Sequence, residues 1–239
     1  MSKVLFVLAL LMLSVFGCAP AETAATEGPS DMDEPPTSIP ASEELTPVQR
    51  AAIRTLAGNL GIAEDAITLV STEAKDWPDD CLGIREEGLM CTQTITPGFQ
   101  IMLEANGRQV EYRTNEDGTL IRPATVLMTW KREGGFAGFC DNMTVYLSGE
   151  LHRSSCKQGP AANERLIDIL STDEILQLEN WANSYGNISV DASDPKGVSD
   201  RMIVTLEFIG LGNQETLSAA NEKELLEFAQ SLNQSLPHQ

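Results

Sequence analysis

The sequence predicts an α+β protein: two small domains, each an antiparallel sheet packed with helices, after a signal peptide and a disordered tether. Three observations carry that reading. Runs rich in Val, Ile, Thr and Leu are separated by turn dipeptides such as Asn106-Gly107 and Asp117-Gly118. Three segments combine a helix-capping signature with apolar residues at helical spacing. The region before Thr46 carries neither pattern.

That region opens with Lys3 and an apolar run, Val4–Phe16. The run has the length of a signal-peptide core and falls short of the roughly 20 residues a spanning helix needs. Val15-Phe16-Gly17-Cys18 follows and resembles the bacterial lipobox, with an aliphatic residue three before the cysteine and glycine just before it. The resemblance implies a signal peptide over residues 1–17, a diacylglycerol on the Cys18 thiol, cleavage before Cys18, and acylation of the new amino terminus. Two or three acyl chains suffice for stable anchoring. The expected address is outside the cytoplasm on the bacterial cell membrane, or on the outer membrane if the cell has one, because Ala19 is not the Asp that resembles an inner-membrane retention signal. An ordinary secretory signal with an incidental cysteine is the alternative.

Residues 18–45 read as a disordered acidic linker. Ala19–Glu44 is rich in Ala, Thr, Ser, Pro and Glu and has no Lys or Arg. Such a stretch cannot bury enough apolar surface to offset its ordering entropy. As a flexible coil it averages roughly 30 Å end to end.

The formal charge of −19 argues against nucleic acid as a partner, since phosphates demand a basic footprint. It also argues against adsorption to anionic lipid. It suits a basic protein partner or divalent cations, and equally plain solubility. Beyond Cys18 the cysteines are Cys81, Cys91, Cys140 and Cys156. Pairing in order, Cys81–Cys91 and Cys140–Cys156, keeps each bond within one domain and closes short loops, each contributing about 2–3 kcal/mol. A four-cysteine zinc site competes, but no CxxC pair is present.

The first domain, residues 46–123, starts with Thr46 as N-cap, Pro47 at the first helical position and Gln49 three after the cap. Val48, Ala52, Leu56 and Leu60 line one face, and Gly61 stops the helix. Ile67–Thr72 reads as a strand, followed by a polar loop through Trp77-Pro78-Asp79-Asp80-Cys81 to Cys91. Phe99–Glu104 and Gln109–Arg113 form a hairpin about Asn106-Gly107, and Leu120-Ile121 a short strand after Asp117-Gly118. This element order resembles the PepSY domain, an α+β module of secreted bacterial proteins that also occurs in metalloprotease propeptides. The stretch from Trp77-Pro78-Asp79-Asp80-Cys81-Leu82-Gly83 to Thr96-Pro97-Gly98-Phe99 resembles a recurring segment of uncharacterised exported bacterial proteins.

The second domain, residues 124–237, starts with a strand, Val126–Lys131, broken by Gly134-Gly135-Phe136-Ala137-Gly138-Phe139, and a strand Met143–Leu147. Ser171-Thr172-Asp173-Glu174 is a capping box for a helix whose apolar face is Ile175, Leu178, Trp181, Ala182 and Tyr185. A buried strand, Met202–Ile209, turns through Gly210–Asn213 toward Glu215–Leu217. Asn221–Glu224 caps a last helix with Leu225, Phe228, Ala229 and Leu232 inward. Arg132-Glu133-Gly134-Gly135-Phe136-Ala137-Gly138, with Ser199-Asp200-Arg201 entering the late strand, resembles the emfourin family of small bacterial inhibitors of thermolysin-like metalloproteases. Cys140, Cys156 and an insertion over residues 147–163 depart from that family's pattern, near the segment that would meet a protease.

The glycine block admits three readings. It is a bend that only glycine tolerates, a recognition loop with candidate contact residues Arg132, Gly134, Gly135, Phe136 and Phe139, or a phosphate cradle, whose usual glycine spacing is missing. No catalytic constellation is present: His152 and His238 form no metal-ligand pair, and HExxH and GxSxG do not occur. The acidic cluster Asp76, Asp79, Asp80, Glu86 and Glu87 reads as a solvated loop or a calcium loop of irregular spacing. The expectation is therefore a non-enzymatic, cofactor-free and metal-free protein that binds a partner or plays a structural part in the bacterial cell envelope. Its partners are the membrane, through its anchor, and a protein; the emfourin resemblance makes a secreted metalloprotease the alternative partner, which the chain would inhibit.

Overall fold

Among the described residues, two antiparallel sheets, of four and six strands, and three α-helices make up the α+β fold. The structure, a computed structural model, describes residues 44–155 and 165–234. The expected signal peptide, Cys18, nearly all of the tether, Cys156 and His238 lie outside the described residues.

Helix α1 (Pro47–Leu60) begins where the sequence places it. The Thr46 hydroxyl accepts from the Gln49 N–H at 3.3 Å, and the Gln49 side chain accepts from the Thr46 N–H at 2.7 Å. Two donors without helical partners are thereby satisfied. The helix lays Ala52, Ile53, Leu56, Ala57 and Leu60 against the first sheet. That sheet is a meander of β1 (Thr68–Trp77), β2 (Thr96–Ala105), β3 (Arg108–Asn115) and β4 (Ile121–Pro123), hydrogen-bonded in chain order. Its core is Ile67, Ile101, Leu103, Val110 and Tyr112. Burying side chains of this size contributes about 1.5–3 kcal/mol each, so packing, more than helix propensity, holds α1 in place.

The second sheet contains β5 (Val126–Gly134), β6 (Phe139–Tyr146), β7 (Glu150–Ser155), β8 (Arg165–Ile169), β9 (Asn187–Asp191) and β10 (Met202–Ile209), in the order β8-β7-β6-β5-β10-β9. Helices α2 (Thr172–Ser184) and α3 (Ala219–Gln234) pack on the face that carries Met128, Trp130, Met143, Val145, Leu206 and Phe208. By the strand period of two, Thr129, Lys131, Asn142, Thr144, His152 and Thr205 point to the other face. The capping box of α2 is formed as expected, Ser171 with Glu174.

The segment read as an insertion over 147–163 contains a strand, β7, which pairs with β8. Two readings of the second half need correction. Glu215–Leu217 is not a strand; Gln214 makes a single bridge to Tyr185, and the chain folds back onto the end of α2, with the Leu211 N–H donating to the Ala182 carbonyl at 2.7 Å. The last helix starts earlier than Asn221, because the Ser218 hydroxyl accepts from the Asn221 N–H at 3.2 Å.

The two cores meet. Leu147 and Ile175 pack against both, and the Arg108 guanidinium donates to the Glu179 carbonyl at 2.8 Å and to Asn183 at 2.7 Å.

Candidate functional site

The hairpin of β5 and β6 is paired out to Gly134 and Phe139, so residues 135–138 form its tip. Gly134 sits at φ +81°, and a Cβ there would lie 2.3 Å from the Arg201 carbonyl oxygen. The next N–H, on Gly135, donates to that same oxygen at 3.1 Å, and the Gly138 N–H closes the turn onto the Gly135 carbonyl at 2.9 Å. Glycine is therefore required by a backbone that docks against the entry to β10. The constraint leaves Phe136 95% exposed. Of the sequence candidates, Phe136 alone projects fully into solvent. Arg132 is turned inward: its guanidinium lies 3.8 Å from the Phe139 ring centroid and 5.4 Å from that of Trp130, and its Nη2 is 2.5 Å from Asp141 Oδ2. It stiffens the hairpin beneath the tip. Cys140, next in the strand, is disulfide-bonded.

A second loop leaves β1 at Trp77 and returns at Thr96. Cys81 and Cys91 are bonded across it, with Cα atoms 5.5 Å apart. The Trp77 indole donates to the Thr114 carbonyl at 2.9 Å, and the Arg113 guanidinium lies 4.9 Å above its ring. Asp79 is 2% exposed and accepts from the N–H groups of Gly83 at 2.9 Å and Cys81 at 3.1 Å, with Arg85 at 2.6 Å. Burial acts to raise its pKa, but these donors and the Arg85 charge outweigh it and hold the carboxyl below the usual range. Asp79 also lies close to both sulfurs, as a metal ligand would, but the disulfide already occupies them.

The loop's apex reaches the second sheet. The Glu86 carboxylate, 4% exposed, accepts from the Tyr146 hydroxyl at 2.7 Å and faces His152 Nδ1 at 3.0 and 3.1 Å. On the other side of the 3% exposed ring, Nε2 faces Glu150 Oε2 at 3.2 Å. Glu150 Oε1 accepts from Asn59 at 2.9 Å and from Tyr112 at 3.4 Å, which ties in the first sheet and α1. Burial, with the Glu150 charge beside it, pushes the Tyr112 hydroxyl well above its ordinary range, so it stays protonated and able to donate. Between the loop and the sheet's open face lies a cleft of about 620 Å³, walled by Glu86, Glu87 and Leu89 and floored by Thr129, Lys131 and Thr144.

His152, which sequence reasoning sets aside for want of a second histidine, is thus the centre of this cluster. The signal that finds it is the alternation Glu150-x-His152, which puts both side chains on one face of a strand. Of the acidic cluster, Asp79 and Glu86 are buried against protein partners, and Asp80 accepts from the Thr92 N–H at 2.7 Å.

Residues 49–123 match the family model described as Domain of unknown function (DUF8738). The matched span runs from α1 to the end of β4 and includes the Cys81–Cys91 loop. No curated protein and no solved structure matches the chain.

Proposed function

We propose that the chain is an extracytoplasmic protein of the bacterial cell envelope, lipid-anchored at Cys18, that binds a partner protein through the tip of the β5–β6 hairpin. The observation that carries this reading is Phe136, a large apolar side chain held 95% exposed by a glycine backbone that cannot relax. An exposed aromatic costs solubility, and one on a rigid support loses little entropy on binding, as contact anchors require. The resemblance of Val15-Phe16-Gly17-Cys18 to a lipobox supports the anchor. Among the described residues no helix is long and apolar enough to cross a membrane.

The test is a photo-crosslinking residue at position 136 of the intact protein in its own cells, with the same residue at Leu211, 73% exposed, as the control. A discrete adduct at 136 and none at 211 is expected; identical adducts, or none at either, overturn the reading. Labelling with a palmitate analogue should mark the wild type and not Cys18→Ala. If the partner is a thermolysin-like metalloprotease, as the emfourin resemblance implies, the chain inhibits it. Phe136→Ala then raises the inhibition constant at least about thirtyfold, the equivalent of 2 kcal/mol.

A further inference from the structure

We propose that Glu86, His152 and Glu150 form a proton-dependent latch that holds the Cys81–Cys91 loop against the six-stranded sheet. Both ring nitrogens of His152 face carboxylate oxygens, at 3.0–3.1 Å on the Glu86 side and 3.2 Å on the Glu150 side. Each approach needs a hydrogen between nitrogen and oxygen, since two bare lone pairs would repel. A neutral imidazole brings one, so the cluster holds one proton more than a neutral histidine and two carboxylates do. The imidazole is the most basic of the three groups, and Glu86 and Glu150 accept from Tyr146, Asn59 and Tyr112 as carboxylates do, so the extra proton is assigned to the ring. The described titratable groups around the ring are Glu86 from the loop, Glu150 from β7 itself and Tyr146 from β6; Tyr112 of β3 acts through Glu150, and α1 supplies the uncharged Asn59.

In the unfolded chain a histidine loses this proton near its ordinary pKa of about 6.5, while glutamates stay ionised down to about 4.3. Above that histidine value the folded state binds more protons than the unfolded one, and the latch's contribution falls as pH rises. Once the proton leaves, a neutral ring stands between two negative groups, and of the described contacts between the apex and β7 there remains the Ser154 hydroxyl donating to the Glu87 carbonyl at 2.9 Å. The loop's base stays fixed by the disulfide and by the Asp80 N–H on the Thr92 carbonyl at 3.1 Å, so the apex swings while the base holds. The wall of the cleft at Glu86–Leu89 moves with it.

Two measurements on the intact protein test this. The chain has two histidines, so ring ¹⁵N spectra of wild type and His238→Gln identify the His152 signals by difference. Both ring nitrogens should be protonated at about pH 7.5, a full unit above the ordinary histidine value. Amide exchange over residues 82–90, corrected for intrinsic rates, should lose protection by about tenfold per pH unit once the ring titrates, the slope of a single proton. Glu86→Gln should exchange quickly in this loop and lose that slope. A neutral single-tautomer ring at pH 7.5 overturns the latch, and needs no variant to fold. So does loop protection that is the same in wild type and Glu86→Gln from about pH 6 to 9.

Discussion

The hairpin tip at 135–138 and the loop bounded by Cys81 and Cys91 are built from similar material and end in opposite places. Each carries glycines at positive φ and has a disulfide-bonded cysteine in or beside it. One sends Phe136 into solvent, 95% exposed, and the other buries Glu86 to 4%. The difference lies in the supporting strands. β5 and β6 stay paired up to the turn, so the tip has nowhere to fold back. β1 and β2 end their register at Trp77 and Thr96, leaving a loop long enough to cross to a neighbouring sheet where His152 and Tyr146 wait. A carboxylate can be taken out of water only where such partners are already in place. An apolar side chain needs no partner to be kept outside, only a backbone that forbids its retreat.

Removing His152 should give the largest effect. His152→Ala leaves two buried carboxylates without their shared counter-charge, and denaturant unfolding should show a loss of about 3–5 kcal/mol. Phe136→Ala should stay within about 0.5 kcal/mol in the same assay. Similar losses for both would erase the contrast between inward and outward apices. Next comes Gly134→Val, which demands a left-handed conformation and puts a Cβ 2.3 Å from the Arg201 carbonyl. A loss of about 2–3 kcal/mol is expected, and a neutral result would show that the tip is not rigid. The smallest effect is at acid pH. The Asp79 carboxyl is held below its ordinary value, so its contribution is present above about pH 4 and disappears as pH falls through the lower folded value. Asp79→Asn should flatten that part of the stability profile and leave the alkaline side, governed by His152, unchanged.

Much of the fold is legible in the sequence because its signals are local. Both capping boxes, the Asn106-Gly107 hairpin and the apolar faces of α1 and α2 depend on residues within a few positions of each other. β7 is illegible for the opposite reason. Glu150, His152 and Arg153 look like surface residues until their partners are known, and those partners come from Glu86, Asn59 and the Asn233 carbonyl, far away in the chain. β9 alternates Ile188 and Val190 correctly, but five residues carry too little period to stand out from a loop. At the site the same rule holds. The glycines that expose Phe136 are adjacent and readable, whereas the latch joins residues 66 positions apart that no spacing rule connects.

The pairing of β5 with β10 sets the order in which the molecule can be completed. β5 opens the second sheet, yet one of its two neighbours is the last of the described strands, and the Gly135 N–H finds its acceptor, the Arg201 carbonyl, just before that strand begins. A chain emerging from its N-terminus can assemble α1 and the four-stranded meander from neighbours already present. It cannot fix the Phe136 tip until nearly all of it has been delivered. Non-local closure of this kind is the slow part of folding. The surface proposed to meet a partner is therefore the last to become rigid, and a chain cut short before Met202 would leave the Trp130 strand with an open, adhesive edge.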